Sequence, residues 1–369
     1  MPRAGRASDG KDSAAEDIEV LPEALPQAVA AALAFVSAGA VLVLEILAVR
    51  LLAPYVGLTL EVTTSIIGAA LAGIAIGAAT GGYLADRTDT RRLVVGLLIL
   101  GGILSLLTVP AVRWLGPGAR GDGELAALGI TSIALVPAAA VLSAVSPALA
   151  HLQLHDLRAS GTVVGRLSAW ATAGALIGTF GAGFVLVPLL PASSTVLAVG
   201  VVLMLAGIGL GLGTGVLSPI GAAGVAVAAV GLAAITTASE SPCDTETRYH
   251  CVRVEADPRH QGGYNLLLDD GYHSYVALEN PTRLEYPYTQ WMAEAVDSIY
   301  PAKAPLHAVF IGGGGFTLPR WLMATRPGSE ADVLEVDGEL VDFVRIASRC
   351  ALPPRCGSRS ATRASACST

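Results

Sequence analysis

Four consecutive glycines follow a short apolar run, and two carboxylates come about twenty residues later. The run Ala308-Val-Phe-Ile-Gly-Gly-Gly-Gly-Phe316 predicts a buried strand that turns directly into a helix. Because glycine has no Cβ, such a turn can approach a ligand, and the helix start offers free N–H groups. Glu335 and Asp337 follow the next predicted strand, where nucleotide folds place a carboxylate against ribose hydroxyls. We therefore predict a nucleoside-binding turn with Glu335 as ribose partner; the alternative is a glycine-rich turn that binds no ligand.

The elements that must position these residues begin near residue 238, where the composition changes from apolar to charged and turn-rich. Alternation and helical spacing of apolar residues predict two strands, a helix, and then a strand–helix–strand–helix succession. The predicted strands are 249–255, 265–268, 307–311 and 332–336, and the predicted helices are 288–299, 318–325 and one from 339. We expect an antiparallel hairpin region followed by an α/β unit.

The rest of the chain has the composition of an integral membrane protein. Hydrophobic residues make up 53% of the sequence and charged residues only 14%. A helix needs about twenty apolar residues to cross about 30 Å of hydrocarbon. The sequence contains apolar runs of about this length that predict about seven membrane spans. They lie at 28–52, 63–84, 93–112, 125–148, 167–190, 194–213 and 217–237. The net charge of −7, without a basic cluster interleaved with aromatics, excludes a nucleic-acid partner.

Basic residues in short loops predict the orientation of these spans. One side carries eight (Arg3, Arg6, Lys11, Arg87, Arg91, Arg92, Arg158 and Arg166), and the other carries three (Arg50, Arg113 and Arg120). We expect a multi-pass protein of the cell membrane with a cytoplasmic amino terminus. Seven spans would put the residues after Thr237 outside the cell, whereas six or eight would put them inside. Residues 1–27 are polar and predict a disordered tail rather than a signal peptide.

Within the spans, two features stand out. Gly73, Gly77 and Gly81 recur every fourth residue and predict close packing against another helix. Glu45 is an ionisable group in an apolar helix, so it marks either a transport pathway or a buried partner. Arg50 could pair with it or extend to the membrane interface.

The chain resembles known families in several segments. The loop Gly81-Gly-Tyr-Leu-Ala-Asp-Arg-Thr-Asp-Thr-Arg-Arg92 resembles the signature loop of the major facilitator superfamily; a simple basic cytoplasmic loop is the alternative. LLLDDGYHSY, LEYPYTQWM, AVFIGGGGFTLPRWL and DVLEVDGELV follow the order and spacing of spermidine synthases. As a whole, residues 28 to 345 resemble bacterial proteins that fuse a membrane region to a spermidine synthase-like domain.

The resemblance implies a β-hairpin followed by a Rossmann-like sheet of the class I methyltransferase type. It implies decarboxylated S-adenosylmethionine, or S-adenosylmethionine, as co-substrate without a tightly bound cofactor, and aminopropyl transfer to putrescine. The expected partners are the lipid bilayer and a polyamine or nucleoside ligand, and a homo-oligomer is left open. The alternative is a transporter-like membrane protein whose soluble domain is a sensor or a non-catalytic remnant.

Carried over residue by residue, the resemblance assigns a co-substrate site. Tyr288 matches the tyrosine of the family's Tyr-His-Glu motif, although Thr289 and Gln290 replace the next two residues. Gly315 stands where the family carries an aspartate. The expected site residues are Gly312, Gly313, Gly314, Gly315, Glu335, Asp337, Asp270 and Tyr288, with Asp269 as the alternative to Asp270.

The histidines and cysteines are weaker indicators of function than the glycine turn. His250, His260 and His273 lack metal-ligand spacing, so we expect no metal site. Cys243 and Cys251 flank a short polar segment after the last span; they could form a disulfide, which suits an external domain, or stay free as cytoplasmic thiols.

The last twenty or so residues differ from the rest of the domain. From Arg349 the sequence has no acidic residue and no hydrophobic periodicity, which predicts a frameshift product or a natural disordered tail. Since the family's catalytic carboxylate lies on later strands, we expect a C-terminally truncated and catalytically incomplete chain. The predicted organisation is a tail (1–27), a transmembrane domain (28–237), a β-hairpin region with linking helix (238–306), the start of a Rossmann-like domain (307–348) and an aberrant or disordered tail (349–369).

Overall fold

A computed structural model of the protein describes residues 25–119, 123–154, 160–347, 356–360 and 363–365. It is mostly helical up to residue 238 and continues into two small sheets. The helices of the first part are α1 (Gln27–Val56), α2 (Leu60–Ala85), α3 (Thr90–Leu115), α4 (Gly123–Ala134), α5 (Val136–Ser143), α6 (Val145–Gln153), α7 (Ser160–Gly181), α8 (Val187–Leu189), α9 (Ala192–Gly213) and α10 (Pro219–Ala238).

Among the described residues, seven helical stretches are long and apolar enough to cross a membrane, by length and composition. The predicted number is confirmed, but the fourth span differs from the prediction of one helix over 125–148. The structure breaks this region after Ala134 and after Ser143, and the stretch of sufficient length is Val136–Gln153. Pro137 and Pro147 lie at the starts of α5 and α6, where a missing N–H is tolerated, whereas one continuous helix would need those donors.

The glycines of α2 pack as predicted. Gly73, Gly77 and Gly81 are buried and face Val136, Ala140 and Ala144, one helical turn apart along the partner. A Cβ at Gly77 would lie well inside the van der Waals radius of the Ala140 carbonyl oxygen. The prediction of close helix packing is therefore confirmed.

The helical bundle has two ends, which we call the amino-terminal end and the sheet end. At the amino-terminal end, Arg166 at the start of α7 bonds Gln27 at the start of α1 (2.8 Å), and Gln153 at the end of α6 bonds the Leu25 carbonyl (2.8 Å). At the sheet end, Arg113 of α3 donates to the Ser239 carbonyl that follows α10 (3.0 Å). The polypeptide therefore leaves α10 at the end opposite to the one where α1 begins.

Two sheets follow. The hairpin sheet contains β1 (Thr245–Glu246), β2 (Cys251–Ala256), β3 (Gly263–Leu268) and β4 (Gly271–Ala277), antiparallel and in chain order. After α11 (Pro287–Ile299) come β5 (His307–Ile311), α12 (Thr317–Thr325), β6 (Glu330–Leu334), α13 (Gly338–Ala347), β7 (Cys356–Ser360) and β8 (Arg363–Ser365). These last strands form a mixed sheet in chain order, with β5, β6 and β7 parallel.

The prediction of a hairpin region followed by an α/β unit agrees with these elements. β5 has the predicted bounds, but β6 ends at Leu334, so Glu335 and Val336 lie beyond the strand. The prediction missed β1 and β4. Strands β7 and β8 lie in the segment that we predict to be an aberrant or disordered tail. The two cysteines are joined as a disulfide, Cys243–Cys251, which decides between the two alternatives left open above.

One hydrophobic core joins the hairpin sheet to the α/β unit. It contains Val252 and Leu266 from the hairpin sheet, Phe316 from the glycine turn, Val333 from β6 and Leu340 from α13. These side chains are all less than a tenth exposed. The hairpin sheet is thereby packed directly against the turn that follows β5.

Candidate functional site

The glycine turn adopts a backbone that requires glycine at two positions. Gly312 and Gly314 have φ values of 91° and 48°, a left-handed region that other residues adopt at a cost. Gly313 lies between them, and a Cβ there would come within 3.1 Å of Phe316 and Val333. Phe316 itself has φ of 58° and precedes the first residue of α12. The four glycines thus carry the chain from strand to helix against a packed core.

Glu335 is turned toward this glycine turn. Its Oε2 accepts hydrogen bonds from the N–H groups of Gly313 (2.7 Å) and Gly314 (3.4 Å), and its Oε1 accepts one from the Asp337 N–H (3.1 Å). The side chain is largely buried. Because a carboxylate occupies N–H groups that could otherwise bind a phosphate, the turn favours a ligand without a phosphate group at this position.

Asp337 faces the hairpin sheet rather than the glycine turn. Its Oδ2 accepts a hydrogen bond from the Thr247 hydroxyl (2.6 Å), and its Oδ1 accepts one from the Leu340 N–H (3.1 Å) in the first turn of α13. The second bond is a helix cap. The residue is 2% exposed, and its N–H bonds Glu335 Oε1, so it is enclosed between Glu335, the hairpin sheet and α13.

A pocket of about 490 Å³ lies in front of the turn. Gly312, Gly313 and Gly314 line it on one side, and β4 and α11 line the other. Tyr288, at the start of α11, lines the pocket and donates its hydroxyl proton to the His273 carbonyl (3.0 Å). Most of the lining residues were not predicted as site residues, and the polar ones among these are His273, Ser274, Thr289 and Thr317.

Ser274 holds the glycine turn from the side of β4. Its Oγ accepts a hydrogen bond from the Gly315 N–H (3.0 Å), and the Thr317 hydroxyl donates to the Tyr275 carbonyl (2.8 Å). The sequence contains one signal for β4, because Asp269-Asp270-Gly271 is a typical hairpin turn and predicts a strand after it. The pairing of that strand with the glycine turn carries no local sequence signal.

The two titratable side chains that line the pocket, His273 and Tyr288, are neutral at pH 7. Burial lowers the pKa of His273, and the neighbouring His250 lowers it further. Burial raises the pKa of Tyr288, and chiefly through burial the pKa of Tyr286 rises to about 12. The Tyr286 hydroxyl donates to Asn265 Oδ1 (2.9 Å). Both tyrosines therefore keep their protons and act as donors.

Asp270 lies elsewhere. Its side chain is exposed and close to Gly57, in the connection between α1 and α2, where a Cβ on that glycine would come within 3.0 Å of Asp270 Oδ2. Asp269, the alternative left open by the resemblance, has φ of 57° and accepts hydrogen bonds from His250 Nδ1 (2.8 Å) and the Cys251 N–H (3.0 Å). The hairpin turn thus meets the sheet end of the bundle, not the pocket.

Asp257, His260 and Glu285 bring potential metal-ligating atoms within 4.8 Å of one another. Arginines already occupy these atoms: Arg259 Nε donates to Asp257 Oδ1 (3.2 Å), and Arg283 contacts His260 Nε2 (2.6 Å) and Glu285 Oε2 (3.0 Å). The bond from His260 and those from Arg259 hold the pKa of Asp257 well below its usual range. These side chains therefore form ion pairs that hold the β2–β3 loop against the segment before α11. Because the arginines occupy the potential ligand atoms, the cluster fits a metal cation poorly.

Comparison with known proteins adds one structure. No protein-family model matches the chain, and no curated protein matches it. The crystal structure of a probable spermidine synthase from Corynebacterium glutamicum ATCC 13032 is similar at 27% sequence identity, covering 31% of this chain and 43% of that chain, with a TM-score of 0.28. The similarity spans less than half of that protein and is a weak relationship to a spermidine synthase-like protein. The resemblance to the major facilitator superfamily finds no support in these comparisons.

Proposed function

We propose that the protein resides in the cell membrane through its apolar helices and binds an S-adenosyl nucleoside at the glycine turn. The observation that carries this proposal is the pocket of about 490 Å³ lined by Gly312 to Gly314. Glu335 does not line the pocket itself, and its carboxylate holds the N–H of Gly313 next to it. A carboxylate at the end of the second strand is the usual partner of ribose hydroxyls in such folds. Tyr288 supplies an aromatic surface on the opposite wall.

The reaction class that we propose is aminopropyl transfer, as in spermidine synthases. In this reaction an amine forms a bond to the carbon beside a sulfonium, that carbon–sulfur bond breaks, and the sulfur leaves as a neutral thioether. The amine loses a proton to a general base. We assign binding and orientation of the nucleoside to the pocket, and we assign no catalytic base among the described residues.

Substitution of Glu335 tests the binding site. In the full chain, purified in detergent, Glu335→Ala removes the acceptor of two turn N–H groups and the expected ribose partner. We expect affinity for S-adenosylmethionine and its decarboxylated form to fall roughly tenfold or more, as for a lost hydrogen bond to a charged group. Calorimetric titration measures the change.

Glu330→Ala is the matched control, because Glu330 is exposed at the opposite end of β6. It should leave the affinity unchanged. Equal binding by wild type and Glu335→Ala would contradict the proposed site. Conversion of putrescine and decarboxylated S-adenosylmethionine to a thioether nucleoside, followed by chromatography, tests the transfer reaction separately from binding.

A second candidate is a transporter-like membrane protein whose soluble part senses a ligand. One contact favours it: Arg50 of α1 donates to the Arg248 carbonyl (2.5 Å), so a helix of the bundle is bonded to the segment that joins α10 to the hairpin sheet. Glu45 lies on the same helix and is partly buried. Under this proposal, Glu45→Gln abolishes polyamine uptake into vesicles, whereas under the first proposal it leaves nucleoside binding intact.

A further inference from the structure

The polypeptide between the bundle and the hairpin sheet forms a small closed loop. The disulfide joins Cys243 to Cys251, so residues 243–251, which we call the disulfide loop, are linked at both ends. The loop follows α10 and contains β1. A closed loop of this length has few conformations, which makes it a stiff connection between whatever it contacts on either side.

On one side the disulfide loop contacts the helical bundle. Glu246 accepts hydrogen bonds from the N–H (3.3 Å) and hydroxyl (2.5 Å) of Ser193, at the start of α9. A carboxylate at a helix start is favoured by the free N–H groups and the dipole of the helix. The Arg248 carbonyl accepts the bond from Arg50 of α1. The loop therefore binds two helices of the bundle at its sheet end.

On the other side, the same residues contact the segment that holds the pocket. The buried Thr247 hydroxyl donates to Asp337 Oδ2 (2.6 Å), and Arg248 donates through its N–H and Nε to the Glu339 carboxylate (3.2 Å each). Asp337 in turn donates its N–H to Glu335 Oε1, and Glu335 Oε2 holds the Gly313 N–H. Hydrogen bonds on both sides of the loop, joined through the backbone of residues 246–248, thus connect α1 and α9 to the glycine turn.

We propose that the disulfide loop couples occupancy of the glycine-turn pocket to the positions of α1 and α9, with Thr247 as the positioning residue that acts on Glu335 through Asp337. This inference rests on the proposed nucleoside binding. A ligand in the pocket contacts Gly313, whose N–H is held by Glu335, and a shift of Glu335 moves Asp337. The loop transmits that shift to Ser193 and Arg50. Coupling of this kind is reciprocal. The factor by which ligand binding favours one position of α1 and α9 is also the factor by which that position favours ligand binding.

The test measures the affinity of the detergent-purified full chain for S-adenosylmethionine. Thr247→Val keeps the shape of the side chain and removes the donor to Asp337. Arg50→Met removes the hydrogen bond between α1 and the disulfide loop. Several intervening contacts separate Arg50 from the pocket. We expect each variant to weaken binding about five- to tenfold, at the low end of typical coupling factors. Thr247→Ser restores the donor and should restore the affinity.

Arg113→Met is the matched control. Arg113 also lies at the sheet end and bonds Thr236 and Ser239, next to the loop, but makes no hydrogen bond to Thr247, Arg248 or Glu246. It should leave the affinity unchanged. The double variant Cys243→Ser, Cys251→Ser opens the loop and should weaken binding to the same extent as Arg50→Met.

Melting temperatures, with and without ligand, separate coupling from general destabilisation. Loss of affinity in Thr247→Val and Arg50→Met, with Arg113→Met and Thr247→Ser unchanged, supports the inference. Wild-type affinity in Thr247→Val and Arg50→Met overturns the coupling and leaves the proposed function standing. An equal loss in all arginine variants, in step with their melting temperatures, also overturns it. Absence of binding by the wild type overturns the proposed function, and the coupling with it.

Discussion

At the scale of single residues, Gly315 shows how closely β4 approaches the glycine turn. Here a Cβ at Gly315 would lie 2.6 Å from Val276 Cγ2 and 3.0 Å from Ser274 Cβ, and both neighbours belong to a paired strand that cannot easily move. The close approach of β4 therefore leaves no space for a side chain at position 315.

We therefore predict that Gly315→Asp and Gly315→Ala destabilise the protein by about 1–3 kcal/mol, the usual cost of overpacking a core. Thermal unfolding of the detergent-purified chain measures the effect. Gly271→Ala is the control, since a Cβ at Gly271 would find its nearest neighbour at 3.6 Å, an ordinary contact. A Gly315→Asp variant as stable as wild type would show that β4 can withdraw from the turn.

The residues of the site differ in how far the sequence could predict them. The glycine turn and Glu335 were predictable because a strand, a turn and a carboxylate follow one another within about thirty residues. Ser274 was not, because its bond to the Gly315 N–H joins residues 41 apart and depends on how the hairpin sheet packs. Asp270 was carried over from a short motif, and the structure places its side chain beside Gly57 instead.

At the scale of elements, the packing of α2 against the region of α5 depends on direct contact between the two backbones. Gly73, Gly77 and Gly81 let α2 approach Val136, Ala140 and Ala144 closely, and such interfaces tolerate no side chain. The length of the apolar run predicted that this region crosses the membrane. It did not predict that the helix breaks after Ala134 and Ser143. The breaks follow from Pro137 and Pro147, each of which removes one N–H donor from the helical hydrogen bonding while leaving the segment apolar.

We predict that Gly77→Ala disrupts this interface, because the added methyl group would overlap the Ala140 carbonyl. The melting temperature and the yield of folded protein should both fall. Gly82→Ala tests the same substitution on the same helix at a position with no atom within 4 Å of the new Cβ, and it should be neutral. Equal behaviour of the two variants would contradict the role of the glycines in packing.

At the scale of the whole molecule, the two ends of the bundle carry different groups. The amino-terminal end holds Arg87 in the α2–α3 connection, Arg91 and Arg92 in the first turn of α3, and Arg166 beside Gln27. The sheet end holds the disulfide and the candidate pocket. Basic loops stay in the cytoplasm, and disulfides persist in oxidising compartments. Both rules assign the same orientation, although they rest on unrelated chemistry.

We accordingly predict that the soluble part lies outside the cytoplasm and the α2–α3 connection inside it. A reporter enzyme that folds only outside the cytoplasm should be active when fused after Glu240 and inactive when fused after Asp89. A fluorescent protein that matures only inside should show the reverse pattern. Activity of the inside reporter at both positions would mean an even number of spans, and the pocket would then face cytoplasmic nucleosides. The outcome therefore decides which pool of S-adenosyl compounds the pocket can reach.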